Sequence, residues 1–265
     1  MGNPSLDDLK LIARGAGEIL RLSFGTDIQV SHKGEIDLVT EVDHRSERYL
    51  LSEIGSRFSG HRIVSEESGE QNGQSEHAWF VDPLDGTVNY AHGVPVFAVS
   101  IAYQYQGVVQ LGVVYDPMRD ELFSAQKGEG ARLNGVPIRV SNTSLLNQGL
   151  LATGFAYDIR THSETNLDYF ADFSIRCQGI RRMGSAAIDL CYVAAGRYDG
   201  YWELRLNDWD VAAGGLIASE AGAYVTDIHG KANYFSPSQS ILAANPALHA
   251  QMVSVIQEIS SQHCD

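Results

Sequence analysis

One segment of the sequence, Asp82-Pro83-Leu84-Asp85-Gly86-Thr87, places two aspartates three residues apart where a hydrophobic strand ends. Proline stiffens this turn and glycine permits a close approach of the backbone. Paired carboxylate oxygens suit magnesium, a hard cation that takes a few carboxylates and keeps some waters. The backbone amides of Gly86 and Thr87 could in addition hold a phosphate. The alternative is an ordinary solvated Asp-Pro turn, since both residue types favour turns.

Two further acidic clusters lie at the ends of predicted elements. Glu66 and Glu67 follow an apolar strand, and Asp208 and Asp210 stand where a helix begins. Each has a plain alternative, a hydrophilic loop for the glutamates and a helix N-cap for Asp210. Carboxylates gathered without cations repel one another and raise each other's pKa. Three such clusters therefore predict a site that binds divalent cations.

Helices and strands that position these clusters alternate along the chain. Ser5 and Asp8 form a capping pair for the first helix, Thr40 begins the second, and Asn245 caps the last. Apolar segments on both sides of Gln106-Gly107 predict a hairpin. Further strands are predicted at residues 78–81, 121–126, 150–153, 200–204, 223–226 and 241–244, and further helices at residues 185–195 and 211–221. The pattern is that of a mixed α/β chain with an N-terminal half, residues 1–140, and a C-terminal half, residues 141–265.

Composition narrows the class of protein. The 33 acidic and 19 basic residues give a formal charge of −14, which argues against binding nucleic acid through its phosphates. Metal ions lying between the acidic protein and its ligand would still allow an anionic substrate to bind. The negative charge can also simply favour solubility. The longest apolar run, near residues 94–103, is too short to cross a bilayer. With no secretory signal and an odd number of cysteines lacking a CxxC spacing, we expect a cytoplasmic protein that binds no membrane.

Together these motifs resemble the inositol monophosphatase family over essentially the whole chain. The segment that begins at Asp82 matches the family's first signature, and Trp209-Asp210-Val211-Ala212-Ala213-Gly214 matches its second. Glu66-Glu67-Ser68 lies at the expected place before the first signature. The resemblance implies a layered αβαβα sandwich, dependence on two to three Mg²⁺ ions per active site, sensitivity to lithium, and a homodimer.

The resemblance also implies roles for single residues. One metal ion would be held by Glu66, Asp82 and the carbonyl of Leu84, and a second by Asp82, Asp85 and Asp210, with Asp82 bridging. A third, weaker ion is implied near Glu66. In the family, the inositol hydroxyls are faced by the residues that match Ser185, Ala186, Glu203 and Asp210. The alternative is that Ser185 is only a helix cap and Glu203 only a polar residue at a strand end.

Thr87 is paired in the family with an acidic residue on the second helix, and Asp43 lies where that partner is expected. Asp43 also follows Thr40 at capping-box spacing, and both roles can hold. Lys33 resembles a basic residue near the metal loop of the family, although the segment before it differs in length.

The predicted reaction is hydrolysis of inositol monophosphate by a metal-activated water. Two metal ions about 3.5–4 Å apart can activate the water and stabilise the leaving oxygen. Glu66 and the Thr87–Asp43 pair are assigned to orienting and deprotonating this water, without a covalent enzyme intermediate. Other candidate substrates are fructose 1,6-bisphosphate, histidinol phosphate and phosphoadenosine phosphate, which related families cleave. An alternative from another class is a regulatory interaction protein in which catalysis is secondary.

Overall fold

The computed structural model describes residues 3–32, 37–71, 73–162, 165–235 and 240–262. Lys33 and Cys264 therefore lie outside the described residues. The helices are α1 (Leu6–Ser23), α2 (Glu41–Arg57), α3 (Thr87–Ala91), α4 (Leu167–Arg176), α5 (Ala186–Ala194), α6 (Asp208–Glu220) and α7 (Pro246–Gln262). The strands are β1 (Val30–His32), β2 (Leu38–Thr40), β3 (His61–Ser65), β4 (Gly69–Gln71), β5 (Gln74–Asp85), β6 (Ala98–Tyr105), β7 (Val108–Asp116), β8 (Glu121–Gln126), β9 (Ala131–Leu133), β10 (Val136–Pro137), β11 (Leu150–Thr153), β12 (Gly179–Arg181), β13 (Gly200–Leu204), β14 (Tyr224–Thr226) and β15 (Ser240–Ala244).

The helix starts follow the capping residues of the sequence. Ser5 and Asp8 form a reciprocal capping box at α1, and Thr40 and Asp43 form another at α2. The side chain of Asn245 accepts the amides of Ala247 and Leu248 at the start of α7, at 3.0 and 3.1 Å. The predicted capping residues of these three helices are therefore confirmed, as is the predicted hairpin of β6 and β7.

Helix α6 begins earlier than the sequence pattern predicts. It starts at Asp208 rather than at Val211, because Asn207 takes the extended N-cap conformation. Asp210 is the third helical residue, and its Oδ2 accepts the amide of Asn207 at 2.7 Å. The simple reading of Asp210 as the N-cap itself is therefore wrong.

Two sheets organise the chain. The larger has the strand order β10-β9-β8-β7-β6-β5-β3-β4, and the smaller has the order β12-β11-β13-β15-β14. Most neighbours in the larger sheet are antiparallel, but β3 runs parallel to β5, so the ends of β3 and β5 bring their acidic loops to the same edge. In the smaller sheet β11 and β13 are parallel, and β13 pairs antiparallel with β15.

The core is arranged in five layers. Alternate residues of β5 face opposite sides of the larger sheet: Trp79 and Val81 pack with α1 and α2, whereas Ala78 and Phe80 pack with α5 and α6. Helices α5 and α6 lie between the two sheets, and α4 and α7 cover the other face of the smaller sheet. This is the predicted αβαβα sandwich, and the fold prediction is confirmed.

The middle layer approaches the larger sheet closely. A Cβ atom at Gly112 of β7 would lie 3.0 Å from the carbonyl oxygen of Ala213 in α6, and one at Gly214 would lie 2.7 Å from Leu190 in α5. Small residues are needed at these contacts.

No helix among the described residues is both long and apolar enough to span a membrane.

Candidate active site

A cavity of about 440 Å³ opens where the acidic loops meet the middle layer. All but one of the sequence-predicted site residues line it, namely Glu66, Asp82, Leu84, Asp85, Gly86, Thr87, Ser185, Ala186, Glu203 and Asp210. Asp43 does not line the cavity but is buried behind Thr87. The structure thus brings together residues that are up to about 140 positions apart in the sequence.

The turn of the first signature is an irregular end of β5. The register of β5 against β6 shifts between Asp82 and Asp85, and Oδ1 of Asp82 accepts the amide of Leu84 at 2.9 Å. Gly86 has a φ of +100°, and a Cβ there would lie 2.9 Å from the carbonyl oxygen of Val96. Glycine is therefore required at Gly86 both by its backbone conformation and by the available space.

Thr87 and Asp43 are in contact. The Thr87 hydroxyl oxygen lies 2.8 Å from Oδ1 of Asp43 and 3.0 Å from the Leu84 carbonyl oxygen. Burial raises the pKa of Asp43, while hydrogen bonds from Thr40 and Thr87 oppose this rise. Asp43 also completes the capping box of α2, so the structure contains both contacts expected of this residue.

Asp85 is fixed by the start of α5. Its Oδ2 accepts the Ser185 hydroxyl at 2.6 Å and the Ala187 amide at 2.7 Å. Burial raises the pKa of Asp85 to about 6, although these donors lower it. Ser185 is at the same time the N-cap of α5, and its capping role and its contact with Asp85 coexist.

Negative charge is concentrated around Asp82. Burial raises the pKa of Asp82 well above its usual value, and the nearby charges of Glu66, Asp85 and Asp210 raise it further. Asp82 and Glu66 also share a hydrogen bond, and burial and the charge of Glu66 raise the pKa of Asp210. A hydrogen bond between two carboxyl groups requires a proton between them.

The donor chemistry of this cluster fits a hard divalent cation, because buried carboxylates that share protons are oxygen ligands whose repulsion a cation would relieve. Within the described ranges, no three Asp, Glu, His or Cys side chains already enclose a metal position as they stand. The side chains that would hold the ion, those of Glu66, Asp82, Asp85 and Asp210, all line the cavity.

Glu203, at the end of β13, lines the same cavity. It is 8 % exposed, its Oε2 accepts the hydroxyl of Tyr201, and burial raises its pKa to about 7. Gly154 leaves the space that this carboxylate fills, since a Cβ there would lie 2.1 Å from Oε2. A carboxyl group in this position can exchange hydrogen bonds with the hydroxyls of a ligand.

Several residues of the site were not identified from the sequence. Tyr157, Arg182, Asp189 and Arg205 line the cavity, and Arg205 pairs with Asp158 on the loop that follows β11. Arg205 has a φ of +62°, unusual for a residue with a side chain. Local sequence gives little signal for these residues, because their roles depend on which loops meet at the cavity.

Comparison with known proteins agrees with this geometry. The sequence profile of the inositol monophosphatase family matches residues 6–261. The chain belongs to this family. As a family member it is 44% identical over 247 residues to the Nus factor SuhB of Vibrio cholerae, covering 92% of each chain.

Solved structures of family members have the same fold. An inositol monophosphatase from Anabaena is 41% identical with a TM-score of 0.87, covering 96% of this chain and 95% of the other. The extragenic suppressor protein suhB from Bartonella henselae is 39% identical with a TM-score of 0.89, covering 94% and 96%. The family recognised from the signatures is thereby confirmed.

Proposed function

We propose that this protein is a magnesium-dependent phosphomonoesterase that hydrolyses inositol monophosphate to inositol and phosphate. The observation that carries the proposal is the single cavity that joins the acidic ends of β3 and β5 with the starts of α5 and α6. Four chain segments that are distant in sequence converge there with their carboxyl groups. Membership in the inositol monophosphatase family supports the same conclusion.

Five residues are proposed to hold the metal ions: Glu66, Asp82, Leu84 through its carbonyl, Asp85 and Asp210. When bound, Mg²⁺ would supply charge that activates a water and stabilises the leaving oxygen. The starts of α5 and α6 also direct their positive dipole ends toward the site.

The chain's own groups have distinct proposed tasks in the reaction. Thr87 has one hydroxyl proton, which it can donate to Asp43 or to the Leu84 carbonyl, leaving its oxygen to accept a hydrogen bond from a water. Buried Asp43, whose pKa is raised by desolvation, can take up a proton relayed through Thr87. Glu66 is proposed to orient the same water. The amides of Gly86 and Thr87 are proposed to position the phosphate.

Substrate recognition is proposed to use the starts of α5 and α6 and the end of β13. Ser185, Ala186, Glu203 and Asp210 line the cavity at these positions. Glu203 can accept hydrogen bonds from ring hydroxyls when ionised. This arrangement favours a polyol monophosphate over the other phosphate esters considered above.

The test is phosphate release from inositol 1-phosphate with and without Mg²⁺, followed by addition of Li⁺. Asp85→Asn should reduce magnesium-dependent turnover by at least about 100-fold, since transition-state charge stabilisation of this kind is worth several kcal/mol. Asp120→Asn, which removes an exposed carboxylate that pairs with Arg14, is the control and should retain activity. Near-normal turnover of Asp85→Asn would refute the assignment. A panel of the other candidate phosphate esters, compared by kcat/KM, tests the substrate.

A second candidate function is favoured by the relatives' names. The Vibrio cholerae and Escherichia coli relatives, 44% and 41% identical to this chain, are called Nus factor SuhB. We therefore keep the alternative in which the chain serves chiefly as a partner in a regulatory assembly. In that case an Asp85→Asn protein would lose phosphatase activity and keep its biological role.

A further inference from the structure

Glu47 is a buried glutamate that has no role in the site described above. It lies in the second turn of α2 and is 3 % exposed. Its Oε1 accepts the Ser65 hydroxyl at 2.5 Å and the amides of Glu67 and Ser68 at 3.1 and 2.9 Å. Its Oε2 accepts the Ser68 hydroxyl at 2.5 Å.

These four hydrogen bonds hold the residues on both sides of Glu66. The amide of Glu66 itself donates to the carbonyl of Val81 in β5 at 3.2 Å. The backbone that carries the Glu66 carboxylate is therefore fixed by α2 on one side and by β5 on the other. Hydrogen bonds to an ionised carboxylate are short and about twice as strong as neutral ones.

The same face of α2 holds two other parts of the site. Asp43 contacts Thr87, and the Ser46 hydroxyl donates to the Pro83 carbonyl at 2.8 Å. Residues 43, 46 and 47 share one face because three- and four-residue spacings coincide on a helix. This buried polar face, Asp43–Ser46–Glu47, thus contacts the first signature and the Glu66 loop together.

We propose that Glu47 is a positioning residue that holds the Glu66 carboxylate where it can bind the metal. The proposal rests on the proposed function in one respect, the assignment of Glu66 as a metal ligand. Groups that orient metal ligands typically contribute about 10–100-fold to metal affinity or activity. Glu47 acts through the geometry of the loop and does not itself touch the ion or the substrate.

Two substitutions of Glu47 separate the effect of its hydrogen-bond geometry from the effect of its negative charge. In Glu47→Gln, the amide oxygen can replace Oε1 and keep its three donors, while the amide NH₂ donates to a rotated Ser68 hydroxyl. This variant should therefore retain the loop without the negative charge. Glu47→Ala removes every acceptor at once. Glu53→Ala removes a surface glutamate of the same helix, which pairs with Arg57, and serves as the matched control.

The experiment measures Mg²⁺ binding by titration calorimetry and exchange of the Glu67 and Ser68 amides in the metal-free protein. We expect Glu47→Ala to weaken Mg²⁺ binding by at least about 10-fold and to accelerate amide exchange at both positions. Glu47→Gln should stay within about threefold of the wild type, and Glu53→Ala should be unchanged. Circular dichroism at 25 °C establishes that each variant is folded.

Two results would overturn the proposal: a folded Glu47→Ala protein with wild-type Mg²⁺ affinity, or a Glu47→Gln protein as impaired as Glu47→Ala. If Glu47→Ala does not fold, Ser68→Ala decides, since it removes only the hydroxyl bond to Oε2. A loss of about threefold in Mg²⁺ affinity supports the proposal, and an unchanged affinity opposes it. If the wild-type protein binds no Mg²⁺, the proposed function is refuted instead. The amide exchange would still report whether Glu47 orders the loop.

Discussion

Glu203 makes the stability of this protein depend on pH. Its folded-state pKa is raised by burial from 4.5 to about 7. A raised acid pKa stabilises the fold at low pH, and this contribution is lost as the pH rises from about 4.5 through 7 because the buried group must ionise. At about 1.4 kcal/mol per pH unit, the interval from 4.5 to 7 corresponds to about 3 kcal/mol.

Substitution Glu203→Gln removes this titration while keeping an oxygen that can accept the Tyr201 hydroxyl. The free energy of unfolding of the variant, minus that of the wild type, should therefore rise by about 3 kcal/mol between pH 4.5 and pH 8. Urea denaturation in EDTA at several pH values measures the difference without bound metal. The exposed Glu129→Gln variant controls for the change in net charge. A difference that stays flat across this range would refute the reasoning.

Three further substitutions test the geometry of the site. Gly86→Ala places a Cβ at φ +100° and 2.9 Å from the Val96 carbonyl oxygen, so thermal denaturation should show a loss of about 2 kcal/mol or more. Ser185→Ala removes the N-cap of α5 and a donor to Asp85; a loss of about 1 kcal/mol in urea denaturation is expected, and no loss would contradict the capping role. Arg205→Gly relieves a left-handed backbone and breaks a half-buried ion pair with Asp158. These two effects oppose one another, and each is about 1 kcal/mol. The melting temperature of Arg205→Gly should consequently change little, and a large drop would show that the pair is worth more than this.

Local sequence predicted the features that depend on neighbouring residues. The capping residues Ser5, Thr40 and Asn245 and the Gln106-Gly107 hairpin were read from spacing of a few residues, and the structure confirms them. Helices α3 and α4 were missed. Helix α3 is a single short element directly after the aspartate turn, and the turn residues dominate the local pattern there.

Contacts between residues distant in sequence could not be predicted from the sequence pattern. Glu47 resembles any surface glutamate of an amphipathic helix, and only the approach of the 65–68 loop reveals that it is buried. The Arg205–Asp158 pair likewise depends on two loops whose meeting no local signal indicates. The signatures around Asp82 and Asp210 could be found because each concentrates its acidic residues within a few positions.

The tight fit of α6 between its neighbours affects how the second signature should be interpreted in other chains. Gly214 of this signature lacks a side chain because Leu190 leaves no room for a Cβ atom there, a demand of packing that is independent of catalysis. A descendant that had abandoned hydrolysis would still be selected to keep this glycine in order to fold. Asp210 likewise closes the capping box at the start of α6, so retention of this signature alone does not show that a given homologue still has an enzymatic task.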